Sequence, residues 1–258
     1  MKYAIVNGEK TEAFKGGKGI CPNCGSELLA RCGDVKINHW SHKGTKNCDS
    51  WWENETEWHR KWKDQFPKEW QEVVHFDDKG EKHIADVRTK TNWIIEFQHS
   101  YIKPEEQKSR NDFYSKLVWV IDGLRRKTDR VQFQKKLEES IQAPVGNINI
   151  RQINFPEESR LLKEWLNCGV PIFFDFNEIS KSRLWFLLPL RIRNEAYLIP
   201  FSREEFIKIH NNEGFDELVN KLIPNIRKAI IDYKQNISNR IFSDYLNSKT
   251  RRPYRRRF

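Results

Sequence analysis

The chain has 258 residues, 38% of them hydrophobic and 13% aromatic with ten tryptophans, which is enough apolar mass for one or two packed cores and excludes a disordered chain even at 32% charged residues. Its longest apolar run, Leu184 to Leu190, is broken by Pro189 and is too short to cross a bilayer, and no charged segment followed by an apolar stretch opens the sequence, so a cytoplasmic protein with no membrane partner is expected. Lysines and arginines number 46 against 36 acids, a net charge of +10; Arg251, Arg252, Arg255, Arg256 and Arg257 supply half of it in a tail suited either to phosphate contacts or to solvation as a free end.

Residues 3 to 14, YAIVNGEKTEAF, alternate around Asn7-Gly8 and read as a β-hairpin. Cys21-Pro22-Asn23-Cys24-Gly25 follows, a knuckle that holds two thiolates on one tight turn, with Cys32, His39, His42 and Cys48 downstream. Four of the five cysteines thus cluster among histidines, which in a reducing compartment suits zinc better than disulfides. The preferred donors for a structural Zn2+ are Cys21, Cys24, His42 and Cys48; His39 is the rival for a place, and Cys32 is the weakest candidate. Cys168 stands apart and reads as a small buried hydrophobe.

A helix is expected from Asn54, as N-cap, to about Phe66, where Pro67 stops it, with Glu57 completing a capping box. Trp58, Trp62 and Phe66 form its buried stripe, and Glu55, His59 and Lys63 recur at four-residue spacing on the margin, either as a surface ladder or as one wall of a site. After a strand at Glu72 to Phe76, a period-two pattern places Ile84, Asp86 and Arg88 on one face of a second strand, and Ile94, Glu96 and Gln98 on one face of a third. A three-residue turn at Lys90 to Asn92 would set Asp86 directly across from Glu96. Facing carboxylates repel, so the pair is either a wet polar face or a site for a hard divalent cation.

Pro104 opens a further helix, and Leu117 to Ile121 is a buried strand, giving the order α-β-β-β-α-β between residues 54 and 122 with a parallel last pair. Beyond Arg125 the signals are mainly helical, at 127–141, 156–166, 202–210, 215–233 and 237–246, with strands near 147–150, 172–174 and 184–190. Three regions are therefore expected: 1–50 as a zinc-binding β module, 51–145 as an α/β (α+β) core, and 146–258 as a mainly helical C-terminal domain with the basic tail.

The motifs AIVNGEKTEAFKGG, CPNC, HWSH before Cys48, ETEWHRKWK, HIADV, IEFQHS and the R-x-x-FY beyond resemble those of the competence protein CoiA-like family over residues 3 to 122. The resemblance implies a restriction-endonuclease-like core similar to that of the PD-(D/E)xK nucleases. By position Asp86 would be the first acid and Glu96 the second, and Gln98 stands where those nucleases usually carry lysine. Lys63 is then the expected substitute cation, Glu55 and His59 complete the catalytic set, and Ser100 and Arg110 match family positions suited to phosphate. The implied activity is metal-dependent hydrolysis of DNA phosphodiester bonds with Mg2+ or Mn2+ on Asp86 and Glu96, serving DNA uptake, recombination or defence alongside proteins of those pathways. The alternative is a non-catalytic DNA-binding accessory protein.

Overall fold

The computed structural model describes residues 1–44, 48–51, 53–143, 145–177 and 183–250. Strands β1 (Tyr3–Val6), β2 (Glu9–Glu12), β3 (Lys18–Ile20), β4 (Glu27–Arg31) and β5 (His39–His42) form an antiparallel sheet in the order β2-β1-β3-β4-β5. The expected first hairpin is present: Asn7 and Gly8 take φ of 53° and 85°, the left-handed pair that a tight two-residue turn needs. Gly19 has a different reason, since a Cβ there would lie 2.8 Å from that of Ala4 on the neighbouring strand. Ala4, Cys21, Leu28 and Trp40 make the small core of this sheet.

The second sheet carries the expected α-β-β-β-α-β order, as α1 (Glu57–Lys63), β6 (Gln71–Phe76), β7 (Lys82–Arg88), β8 (Ile94–Gln98), α2 (Pro104–Phe113) and β9 (Leu117–Asp122). The chain continues through α3 (Lys127–Glu138), β10 (Ile141–Gln142), β11 (Arg151–Asn154), α4 (Arg160–Trp165), β12 (Ile172–Asp175), β13 (Arg183–Ile192), β14 (Glu195–Ser202), α5 (Arg203–Asn211), α6 (Phe215–Glu217) and α7 (Ile223–Thr250). Among the described residues nine strands share one sheet, β10-β11-β14-β13-β12-β9-β8-β7-β6, in which β9 runs parallel to both β8 and β12. All six residues of β9 are buried, as a strand covered on both faces requires. Val118 and Val120 face a core made with α1, α5 and α7, while Leu117, Trp119 and Ile121 face one made with α2, α3 and α4.

The C-terminal region holds more helix than strand, as expected, with β11, β12 and β13 at or beside the expected strand segments and β14 added. Strands β11 to β14 extend the sheet begun by β6 to β9, so the sheet and both its cores run across the boundary placed near residue 145. β14 has no counterpart among the expected elements, and it carries Pro200, which has no N–H to give to a ladder. It is accommodated because β11 pairs with β14 only as far as Leu198, leaving the next residues of β14 bonded on one side alone. The helix start also moves: Thr56, not Asn54, is the N-cap, and the residue closing its capping box is His59, not Glu57. Glu55 is drawn instead into ion pairs with Arg60 and Lys63.

Candidate functional site

In the small sheet, Cys21, Cys24, His42 and Cys48 bring their donor atoms within 4.8 Å of one another. The Cys21 and Cys48 sulfurs are 3.6 Å apart, and Cys24 Sγ is 3.3 Å from His42 Nε2. Tetrahedral zinc with bonds of about 2.3 Å to sulfur spaces its ligands by roughly 3.5–3.8 Å, close to these two pairs, so the group is one that could hold that ion. Gly25, at φ 72°, closes the knuckle by donating its N–H to Cys21 O at 2.9 Å. His39 does not join. Period two on β5 turns His39 to the opposite face from His42, and its Nδ1 lies 2.9 Å from Ile37 O. Cys32 also stands outside the group.

In the large sheet three carboxylates come together at one cleft. Gln71 opposite Val87 and Val73 opposite Ala85 place Glu72 across from Asp86, and the pairing of β7 with β8 runs through Arg88–Ile94 and Val87–Ile95, ending one step short of Asp86 and Glu96. The hairpin closes at Thr89 and Trp93, whose amide and carbonyl bond at 2.9 Å. Beyond Val87 and Ile95 the strands part, and Asp86 Oδ2 accepts the Phe97 N–H at 3.0 Å in place of a backbone partner. The two outer acids have fixed cations. Lys63 Nζ lies 2.8 Å from Glu72, 2.5 Å from Glu55 and 3.9 Å from Asp86, and Arg110 Nη1 lies 3.2 Å from Glu96.

Electrostatics separates these groups. Burial opposes the charged form of Glu72, but the Lys63 ammonium prevails and holds its carboxyl well below the ordinary range. Burial likewise opposes the Lys63 charge, and Glu72, Glu55 and Asp86 together keep it firmly protonated. Glu96 goes the other way. Burial, then the neighbouring Asp86, push it up to about 8 despite Arg110, and its Oε1 is a buried atom with no hydrogen-bond partner. Asp86 is also raised, chiefly by burial.

Helix α1 is aimed by Asp175 of β12, which accepts indole N–H bonds from Trp58 and Trp62 at 2.9 and 2.8 Å. This turns His59 and Lys63 toward the three acids, with which they line a cleft of about 90 Å3. Burial lowers the His59 pKa to about 4, and its Nδ1 accepts the Thr56 N–H at 3.2 Å, which leaves the proton on Nε2. A groove of about 550 Å3 between the small sheet and the start of α1 shares Met1, Asp49, Glu55 and Ile84 with this cleft.

Not every sequence candidate lies at the cleft. Gln98 is absent from its lining; its amide N–H groups go to Glu53 Oε2 at 2.7 Å and Ser100 O at 3.2 Å. Arg110 reaches the wall but is only 6% exposed and is committed to Glu96, Glu106 and the Trp51 carbonyl, so it braces an acid and has no free face for phosphate. Ser100 is exposed at the end of β8, with its N–H on Glu53 Oε1 at 2.7 Å. Glu55 is spoken for by Arg60 and Lys63, which makes it a counter-ion and a poor third ligand. The five tail arginines lie outside the described residues. The sequence reading missed Glu72, for which a lone acid at a strand start is no signal, and also missed Asp49 and Glu53, whose two-residue spacing with Trp51 and Glu55 was available.

Among the described residues the cysteine–histidine group is the set of three or more donors already within reach of one ion; Asp86 and Glu96 form a pair. No helix of the described residues is long and apolar enough to cross a membrane. Residues 6–50, which hold all four soft donors, match the family model of the competence protein CoiA, N-terminal domain. No curated protein and no solved structure matches the chain.

Proposed function

We propose that this CoiA-like chain is a metal-dependent nuclease with a restriction-endonuclease-like core, cleaving DNA phosphodiester bonds at the cleft of Glu72, Asp86 and Glu96. The observation that carries the reading is Glu96 Oε1: a buried carboxylate oxygen without a partner, beside a second raised carboxylate, is a place where a cation is wanted. Asp86 and Glu96 would hold Mg2+ or Mn2+, which supplies polarisation of a phosphate oxygen and activation of the attacking water. Lys63 keeps a fixed positive charge 3.9 Å from Asp86 and takes the electrostatic part that a lysine on β8 would otherwise play. His59, neutral at pH 7, offers an Nε2–H bond and does not collect a proton. Zinc on Cys21, Cys24, His42 and Cys48 holds the small sheet that walls the groove.

The position of Gln98 favours the second reading, a non-catalytic DNA-binding accessory, because its amide goes to Glu53 and Ser100 and the residue does not itself line the cleft. One experiment separates the two. Wild type and Asp86→Asn are incubated with single- and double-stranded DNA, with and without magnesium or manganese. The nuclease reading requires metal-dependent cleavage by wild type and a loss in the variant on the order of 10²-fold or more; binding without cleavage by both proteins would establish the accessory reading instead.

A further inference from the structure

We infer that the chain leaving the metal ligand Cys48 is a strap that ties the cysteine–histidine centre to the acidic cleft, with Asp49 and Glu53 as positioning residues. The inference rests on the nuclease reading for its catalytic consequence and on geometry alone for its structural one.

Residues 49, 51, 53 and 55 alternate, and each grips a different part of the cleft. Asp49, 8% exposed, accepts the Ile84 N–H on β7 at 2.8 Å and lies 2.8 Å from His83 Nδ1. Trp51 stacks on His83 with ring centres 3.3 Å apart and gives its carbonyl to Arg110 Nη2 at 2.9 Å. Glu53 accepts the Ser100 N–H and a Gln98 amide N–H, both at 2.7 Å, at the end of β8. Glu55 meets Lys63 at 2.5 Å on α1. The strap therefore touches β7, α2, β8 and α1, the four elements that carry Asp86, Arg110, Glu96 and Lys63.

A carboxylate on a surface segment is ordinarily solvated, and its hydrogen bonds to main-chain amides open and close with the segment. Here the segment begins at Cys48, whose sulfur shares a donor set with that of Cys21, 3.6 Å away, so an ion at that set fixes one end of the strap. Asp49 follows that ligand directly, and its two oxygens meet His83 and Ile84 of β7, three and two residues before Asp86. Glu53 does the same at β8, two residues beyond Gln98 and four beyond Glu96. The spacing of the two catalytic strands thus depends on a segment whose anchor is the soft-metal site.

The test uses the full-length protein. Zinc is removed with a chelator, magnesium is restored in excess, and amide exchange is read residue by residue. Loss of zinc should speed exchange at Ile84 and Ser100 by about tenfold or more while β9 and β12 stay protected. Unchanged exchange at Ile84 and Ser100 overturns the inference, and so does equal loss of protection in β9 and β12, which would make zinc a prop for the whole fold. Asp49→Ala, with its zinc retained, should expose the Ile84 amide in the same way and lower kcat with KM unchanged; an unaltered Ile84 amide removes Asp49 from the role. Should wild type cleave no nucleic acid, the nuclease reading falls, and the exchange measurements still decide the strap.

Discussion

The small sheet and the large sheet each hold a cluster of electron-rich side chains, and they stabilise it differently. In the small sheet, two sulfurs lie 3.6 Å apart and a sulfur lies 3.3 Å from an imidazole nitrogen, in a group of four soft donors that could hold one ion. In the large sheet, three acids meet at one cleft, Glu72 and Glu96 lie against Lys63 and Arg110, Asp86 lies 3.9 Å from Lys63, and one oxygen of Glu96 has no hydrogen-bond partner. The first cluster is a donor set that could hold zinc. The second is held together by fixed cations on its acids.

The largest effect should come from breaking the cysteine–histidine cluster. Structural zinc contributes about 10–16 kcal/mol in small domains, so Cys24→Ser should leave well under half an equivalent of zinc by elemental analysis and should disorder the strands β1 to β5. Full zinc content in the variant would contradict the assignment of Cys24 as a ligand.

Next is Lys63→Ala, which removes the cation shared by Glu55, Glu72 and Asp86. Stripping one partner from a buried pair costs about 3–5 kcal/mol, to be read as a shifted midpoint in denaturant unfolding. Lys63 has a side chain only 3% exposed, so little of this is screened by water. Asp86→Asn should cost far less stability than Lys63→Ala, because asparagine keeps an acceptor for the Phe97 N–H and relieves repulsion.

A smaller effect concerns pH. Glu96 has its folded pKa raised to about 8 from an ordinary value of 4.5, so in the absence of divalent metal its contribution to stability is fully present below pH 4.5 and is lost as pH rises through 8. A cation binding there displaces that proton, so magnesium or manganese affinity measured by calorimetry should rise from pH 6 to about 8 and then level off. In Glu96→Gln the stability loss over this window should be much reduced and the metal affinity lost. A metal affinity flat from pH 6 to 8 would show that Glu96 is not a ligand.

The smallest effect is expected from Gln98→Lys. On the nuclease pattern this change restores the usual residue, but Gln98 is itself absent from the cleft lining and spends its amide on Glu53, which does line it, and on Ser100. A lysine can still donate to Glu53, so cleavage should stay within an order of magnitude of wild type, whereas the loss of Lys63 should reduce it sharply. A large gain of activity in Gln98→Lys would mean that the side chain at this position does reach the reacting phosphate.

Much of this arrangement follows from local rules that the sequence states outright. Period-two alternation and a three-residue turn set the pairing of Val87 with Ile95, next to which Asp86 and Glu96 follow, and four-residue spacing suffices for His59 and Lys63 to share a helix face. The knuckle of Cys21 and Cys24, with His42 and Cys48, needs only a tight turn and the parity of a strand, and the same parity removes His39. What the sequence could not state depends on contacts distant along the chain. Glu72 joins the cleft only because β6 pairs with β7 in a register set across a loop, and its side chain collects the amides of Lys2 and Tyr3, about seventy positions away. Arg110 reads as a phosphate clamp until the packing of α2 lays it against Glu96 and Trp51. Local periodicity fixes which face a residue takes within its own strand or helix; which partner meets that face, and whether a charge there is already matched, is decided when the sheets and helices pack.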